Sequence, residues 1–337
     1  MIINSAFIRL LSALIRVKEP FREKVTMIIT PLAAESFGVR SSSFFIETAN
    51  VKVLIDPGVS LAKVRSGFAP HSLEIRAMNE RWRTVKEYAA RADILVITHF
   101  HFDHFDPTEP IVFNNKVLLM KHPTATINAG QRERARELVR NYRTLPRRVE
   151  FADDRVFEFG KTSLRFSPAV PHGPDTTVGW VVEASVRDGN SCFLYSSDIV
   201  GACRNEHIEF ILSEEPDTLY LDGPLTYMLG RGFSLADLRT SICNINRLLE
   251  MPKLETLIID HHLLRDKNWK HEIRAVYAKA EAIGKKVVTM AGFLQKKDQL
   301  LEARRVELFE TQPVLTSEPL MRSSTFHLVK ELNKESR

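Results

Sequence analysis

From Met27 onward, short apolar runs alternate with longer amphipathic stretches. Runs rich in Val, Ile, Leu and Phe predict strands at Ser43–Glu47, Val51–Ile55, Ile94–Thr98, Val117–Met120 and Leu164–Ser167. Five more follow at Gly179–Ala184, Cys192–Ser196, Thr218–Leu221, Thr256–Ile259 and Lys286–Met290. Several of them, Ile94–Ile97 for instance, are too continuously apolar for a sheet with one wet face, so they predict strands covered on both sides. Helical periodicity predicts helices over Ser72–Arg91, Asn128–Tyr142, Leu235–Glu250, Lys270–Ile283 and Gln295–Phe309. Ser234, with Asp237 three residues on, starts the third, and Gly284 stops the fourth. Strands crowd the first half as hairpins do, with Ala49-Asn50 between two of them, and helical connections lengthen later. Buried sheets with helices outside make a layered α/β or α+β domain.

Composition narrows this little. The 337 residues are 44% hydrophobic and 26% charged, ample for a large core. A net charge of +5 is compatible with an anionic partner without showing one. Cys192, Cys203 and Cys243 are an odd set with no CxxC spacing, poor for disulfides or zinc thiolates, which points to a reducing, cytoplasmic setting. No apolar run reaches the roughly 18 residues that span a bilayer. Residues 1–26 read as an N-terminal extension, possible as an amphipathic helix but better taken as lying outside a fold that begins at Met27. Residues 27–310 read as one domain, and 311–337, with Pro313 and Pro319 and little periodicity, as a loosely packed tail.

The chemistry is concentrated in Ile97-Thr-His-Phe-His-Phe-Asp-His-Phe105, directly after an apolar strand. His99 and His101 are two apart, so on extended chain they project to one side. They can serve one metal ion while Asp103 and His104 serve a second. Imidazole and carboxylate donors suit zinc, and also iron or manganese. Asp56, His99, Asp198 and His261 each fall just past an apolar run, where strand ends gather at one edge of a sheet.

The pattern His99-x-His101-x-Asp103-His104 resembles the hallmark of the metallo-β-lactamase superfamily. Leu54-Ile-Asp-Pro-Gly58, Pro171-His-Gly173, Ser196-Ser-Asp198 and Asp260-His-His262 resemble its other signature segments. The phrases Asp222-Gly-Pro, Tyr227-Met-Leu-Gly and Asp260-His-His-Leu-Leu-Arg-Asp266 resemble an uncharacterised, mainly archaeal family of predicted metallo-hydrolases within it, over roughly Met27 to Phe309. The resemblance implies an α+β four-layer αββα sandwich holding two divalent metal ions, zinc before iron or manganese. It implies His99, His101 and His172 on the first ion, Asp103, His104 and His261 on the second, and Asp198 bridging. It favours His261 over His262 as last ligand, and gives Asp56 the task of orienting a ligating histidine through its other ring nitrogen. A water between the ions would lose its proton near neutral pH and attack an ester, thioester, amide or phosphodiester, with Asp103 and Asp198 as catalytic residues.

His71, His122, His207 and His271 have no such setting and read as structural or exposed. Tyr227 reads equally as a donor to substrate or as a packed aromatic. Gln131–Arg148 carries Arg132, Arg134, Arg136, Arg140, Arg143, Arg147 and Arg148, which reads as a solvated face or as a contact for phosphate. The expected substrate is therefore a small molecule or a phosphate-containing ester. Lactonase, thioesterase and nuclease activity are the alternatives, although no aromatic-interleaved basic stretch supports nucleic acid. A non-catalytic metal-binding regulatory module and a flavin-linked protein are the rival classes, and a homo-oligomer is compatible with the family resemblance.

Overall fold

A computed structural model describes residues 27–142 and 144–312; the expected extension 1–26 and the tail beyond Gln312 lie outside the described residues. The first sheet contains β1 (Ile28–Ala34), β2 (Ser42–Glu47), β3 (Lys52–Ile55), β4 (Ile94–Ile97), β5 (Val117–Met120) and β6 (Arg148–Phe151), in that spatial order. β1 to β3 run antiparallel, and β3 to β6 run parallel. The remaining strands are β7 (Val156–Phe159), β8 (Thr162–Phe166), β9 (Val170–Pro171), β10 (Trp180–Val181), β11 (Ala184–Asp188), β12 (Ser191–Tyr195), β13 (Thr218–Asp222), β14 (Thr256–Asp260) and β15 (Lys286–Val288). β9 and β10 pair alone, and the others form a second sheet ordered β15-β14-β13-β12-β11-β8-β7, parallel from β15 to β12.

Strand alternation sorts side chains between layers. In β2, Phe44 and Ile46 enter the core between the sheets, where they meet Phe193, Tyr195 and Tyr220. Phe45 faces out, into a core shared with α1 (Ser72–Arg91) and α2 (Ala129–Tyr142). On the far side, Leu194, Leu219 and Leu257 pack under α3 (Glu206–Glu214), α4 (Leu235–Leu249) and the helix pair α5 (Trp269–Glu272) and α6 (Arg274–Ala282). The result is helix, sheet, sheet, helix: the expected αββα sandwich.

Some elements differ from the pattern-based expectation. Gly179–Ala184 is split, because Trp180 and Val181 pair with β9 while Ala184 opens β11. The expected helix Lys270–Ile283 breaks at buried Ile273. The expected helix Gln295–Phe309 survives only as α8 (Arg305–Thr311), after the short α7 (Met290–Phe293). Between them Gln295 is left-handed, and Gln299 donates its N–H to Ser36 O, so tertiary contacts capture this backbone. Edge strands β6 and β7 and helix α3 were not anticipated; the edge strands carry exposed charge that hides their alternation.

Candidate metal centre

The parallel strands β3, β4, β12, β13 and β14 end at one edge of the sandwich, the usual place for a site in sheets of this kind. Asp56, Ser197 and His261 follow three of these strands, and all three adopt left-handed backbone, with φ of 45°, 55° and 58°. Such strain persists only where neighbours over-determine it. Here Asp56 N–H donates to Val96 O (2.9 Å) and His261 N–H to Asp260 Oδ1 (2.8 Å). Past β4, Thr98 donates its N–H and hydroxyl to the Asp56 carboxylate, and the chain turns so that His104 N–H donates to His101 O.

The sequence-predicted residues converge on Asp198. Its Oδ2 lies 3.0 Å from His104 Nε2, 3.2 Å from His261 Nε2, 3.4 Å from His172 Nε2 and 3.5 Å from His99 Nε2. Donor atoms of His99, His101, His172 and Asp198 lie within 4.8 Å of one another, and so do those of Asp103, His104 and His261. His262 joins Asp198 and His261 in a further such group, while its Nδ1 sits 3.0 Å from the Asp222 carboxylate.

The rear nitrogens are held by oxygen. His104 Nδ1 donates to Asp56 Oδ2 and His261 Nδ1 to Glu35 Oε2, both at 2.8 Å. Each ring therefore turns Nε2 inward. His99 Nε2, His104 Nε2 and Asp198 Oδ1 are buried without an aligned hydrogen-bond partner. Buried polar atoms are seldom left so, and inward-facing imidazole and carboxylate donors suit a cation. Burial, helped by neighbouring rings, holds His99 and His101 well below their ordinary range, leaving nitrogen lone pairs free. Burial also disfavours charge on His104, but Asp198 and Asp56 outweigh it and lift that ring to about 10. The Asp198 carboxyl, which burial alone would raise, is held well below the carboxylate range by His104, His261 and His99. This His/Asp cluster is compatible with binding metal ions.

A cleft of about 440 Å³ opens over it, bordered by His101, Asp103, His172, Tyr227 and Arg265. A neighbouring lobe of about 480 Å³, with Leu61, Met78 and Phe102 in its wall, shares Arg40, His101 and Asp103. Tyr227 is both cleft wall and packed aromatic, since the Arg65 guanidinium lies 4.4 Å from its ring centre. Of the arginine-rich segment, Arg134 reaches the site, donating to Phe100 O, whereas Arg136 pairs with Glu133 at the surface. His71 caps α1, His122 accepts from Ala125 N–H, His207 is buried on α3 and His271 stands beside Arg274; none belongs to the donor groups found among the described residues. Sequence reasoning missed Glu35 and Arg265, whose roles arise only when β1 and the segment after β14 meet.

This sandwich, with its His/Asp cluster at the strand ends, defines a metallo-β-lactamase-fold protein. A family profile described as the Beta-lactamase superfamily domain matches residues 51–226. The chain is 42% identical over 288 residues to a UPF0282 protein of Sulfolobus acidocaldarius, covering 84% of this chain and 93% of that one. It is 40% identical over 293 residues to a UPF0282 protein of Korarchaeum cryptofilum, covering 87% and 97%. It belongs to the beta-lactamase superfamily and, within it, to these archaeal UPF0282 proteins. The crystal structure of the metallo-beta-lactamase fold protein YhfI from Bacillus subtilis shares the fold, with a TM-score of 0.51 at 16% identity over 82% of this chain and 98% of that one.

Proposed function

We propose that the protein is a metal-dependent hydrolase acting on a phosphoester or another anionic ester. The observation that carries this reading is the single carboxylate oxygen of Asp198 with four inward-turned imidazole nitrogens within 3.5 Å. His99, His101, His172 and Asp198 would hold one divalent ion, and Asp103, His104, His261 and Asp198 the other. Zinc fits these donors best, with iron and manganese as alternatives. Such ions supply Lewis acidity and bring the pKa of a bound water down to about 7. Asp56 and Glu35 keep His104 and His261 in the tautomer with Nε2 facing inward. Asp103 faces the cleft, where its ionised carboxylate can take a proton from an attacking water. Arg134, in the wall of the neighbouring lobe, adds positive charge that favours an anionic substrate, whereas Arg40 there is paired with Glu302. We take residues 27–310 as one domain, because the two sheets share one core. Three free cysteines fit a reducing cytoplasm, and no helix among the described residues is long and apolar enough to cross a membrane.

The test pairs elemental analysis with hydrolysis of a chromogenic bis-aryl phosphate, then of lactones and thioesters. Close to two ions per chain are expected, with turnover that His99→Ala lowers by about 100-fold or more. Less than one ion per chain after reloading would overturn the metal centre. Two ions with no turnover on all three substrate classes would leave a metal-binding module.

A further inference from the structure

Arg265 closes the short 3-10 turn His261–Arg265 and is almost wholly buried. Its Nε donates to Glu35 Oε1 (2.8 Å), which holds the guanidinium, and Arg65 donates to its backbone carbonyl at 2.8 Å, which holds the main chain. The other oxygen of Glu35 accepts from His261 Nδ1. In the neutral ring the lone pair is therefore on Nε2, the atom proposed to hold the second ion. Arg265 Nη2 stands 3.3 Å from that same Nε2 and 3.5 Å from Asp103 Oδ2. Two of the second position's donors thus already face a cation. An arginine cannot shed its charge in a protein, so this cation stays in place at any working pH.

We propose that Arg265 competes with the second ion, so that the position built from Asp103, His104 and His261 fills more weakly than the one built from His99, His101 and His172. This rests on the metal-centre reading above. For the second ion to enter, Arg265 must give up Nε2 while its tie to Glu35 keeps its positive charge near the incoming dication. Glu35 and Asp103 offset that charge without removing it. Occupancy of the second position then follows metal supply, while the first stays filled.

The test is calorimetric titration of metal-free protein with zinc, with elemental analysis after dialysis against a weak chelator. The wild type is expected to bind in two steps, the second weaker by about tenfold or more, the size of effect that groups next to metal ligands have. Arg265→Met should tighten the second step by about tenfold and leave the first within about twofold. Because that variant strands Glu35, the double variant Glu35→Gln/Arg265→Met, which removes both charges, is measured beside it and should show a smaller tightening, since the carboxylate behind His261 is lost as well. A second step that is unchanged or weaker in both variants overturns the proposal, as do two equal steps in the wild type. Absence of any zinc binding by the wild type would instead remove the metal centre itself, and this proposal with it.

Discussion

A methyl group at Gly58 would lie 2.3 Å from Phe105 N and 2.5 Å from the carbonyl carbon of His104. These contacts are backbone, so they cannot be relieved by a side-chain rotation. The Asp56-Pro57-Gly58 turn is thus pressed against the metal-binding motif, and the carboxylate two residues before the glycine reaches His104 Nδ1. Gly58→Ala is expected to push His104 and Phe105 outward. Stability should drop by about 1–3 kcal/mol, as for other overpacked sites, and second-ion affinity should fall by about tenfold. Urea midpoints and zinc titration measure the two effects, and an alanine variant equal to wild type in both would mean that the turn does not press on the motif. At this scale the sequence was legible where chemistry is local: His99, His101, Asp103 and His104 lie in six positions, and their convergence follows from one strand end and one turn. Glu35 was not legible, because it lies 226 residues from the ring it orients and nothing in its own neighbourhood marks it.

Between elements, buried ion pairs fasten the C-terminal segment. Arg305 on α8 pairs with Glu74 on α1 at 2.7 Å, with both side chains fully buried. Arg40, after the first strand, makes a two-pronged pair with Glu302 at 2.6 and 2.7 Å. Burial would raise the Glu302 carboxyl, but Arg40 outweighs it and brings it from 4.5 down to about 2. The folded pKa is thus below the unfolded one, so the stabilisation is present above pH 4.5 and is lost as pH falls toward 2. Glu302→Gln should therefore cost about 2–3 kcal/mol at neutral pH, less than a fully buried pair because the arginine is part-exposed. The gap to wild type should close between pH 4.5 and 2 in urea unfolding. A gap independent of pH would assign the effect to packing rather than charge. Pattern reasoning placed most strands to within a residue or two, since their periodicity is set by burial on one or both faces. It failed at Gln295–Phe309, where Gln299 and the Ser36 backbone override an amphipathic stretch.

For the whole molecule, the proposed ligands come from both halves of the sandwich. His99, His101, Asp103 and His104 follow a strand of the first sheet, and His172, Asp198 and His261 belong to the second half. An ion at either position would tie the two halves together at the edge where these strands end. Zinc at about 100 times its dissociation constant should then add about 2.7 kcal/mol of stability. A rise of several degrees in the thermal midpoint, reversed by chelator and reduced in His99→Ala, is the expected outcome. An unchanged midpoint in zinc-loaded wild type would mean that the ions do not bind the folded state in preference to the unfolded one.

By itself the sequence determined buried sheets with helices outside and the His-x-His-x-Asp-His motif, because both rest on interactions a few residues long: side-chain alternation, helical period and one strand-end turn; the αββα order was implied by the family resemblance. The tertiary structure decided which distant groups meet that motif. Glu35 against His261, Arg265 between Glu35 and Asp103, and Asp222 behind His262 are each set by how strands from different parts of the chain end at one edge. A carboxylate or guanidinium carries no local trace of the partner that folding brings to it, since that pairing depends on the summed packing of two sheets rather than on neighbouring residues.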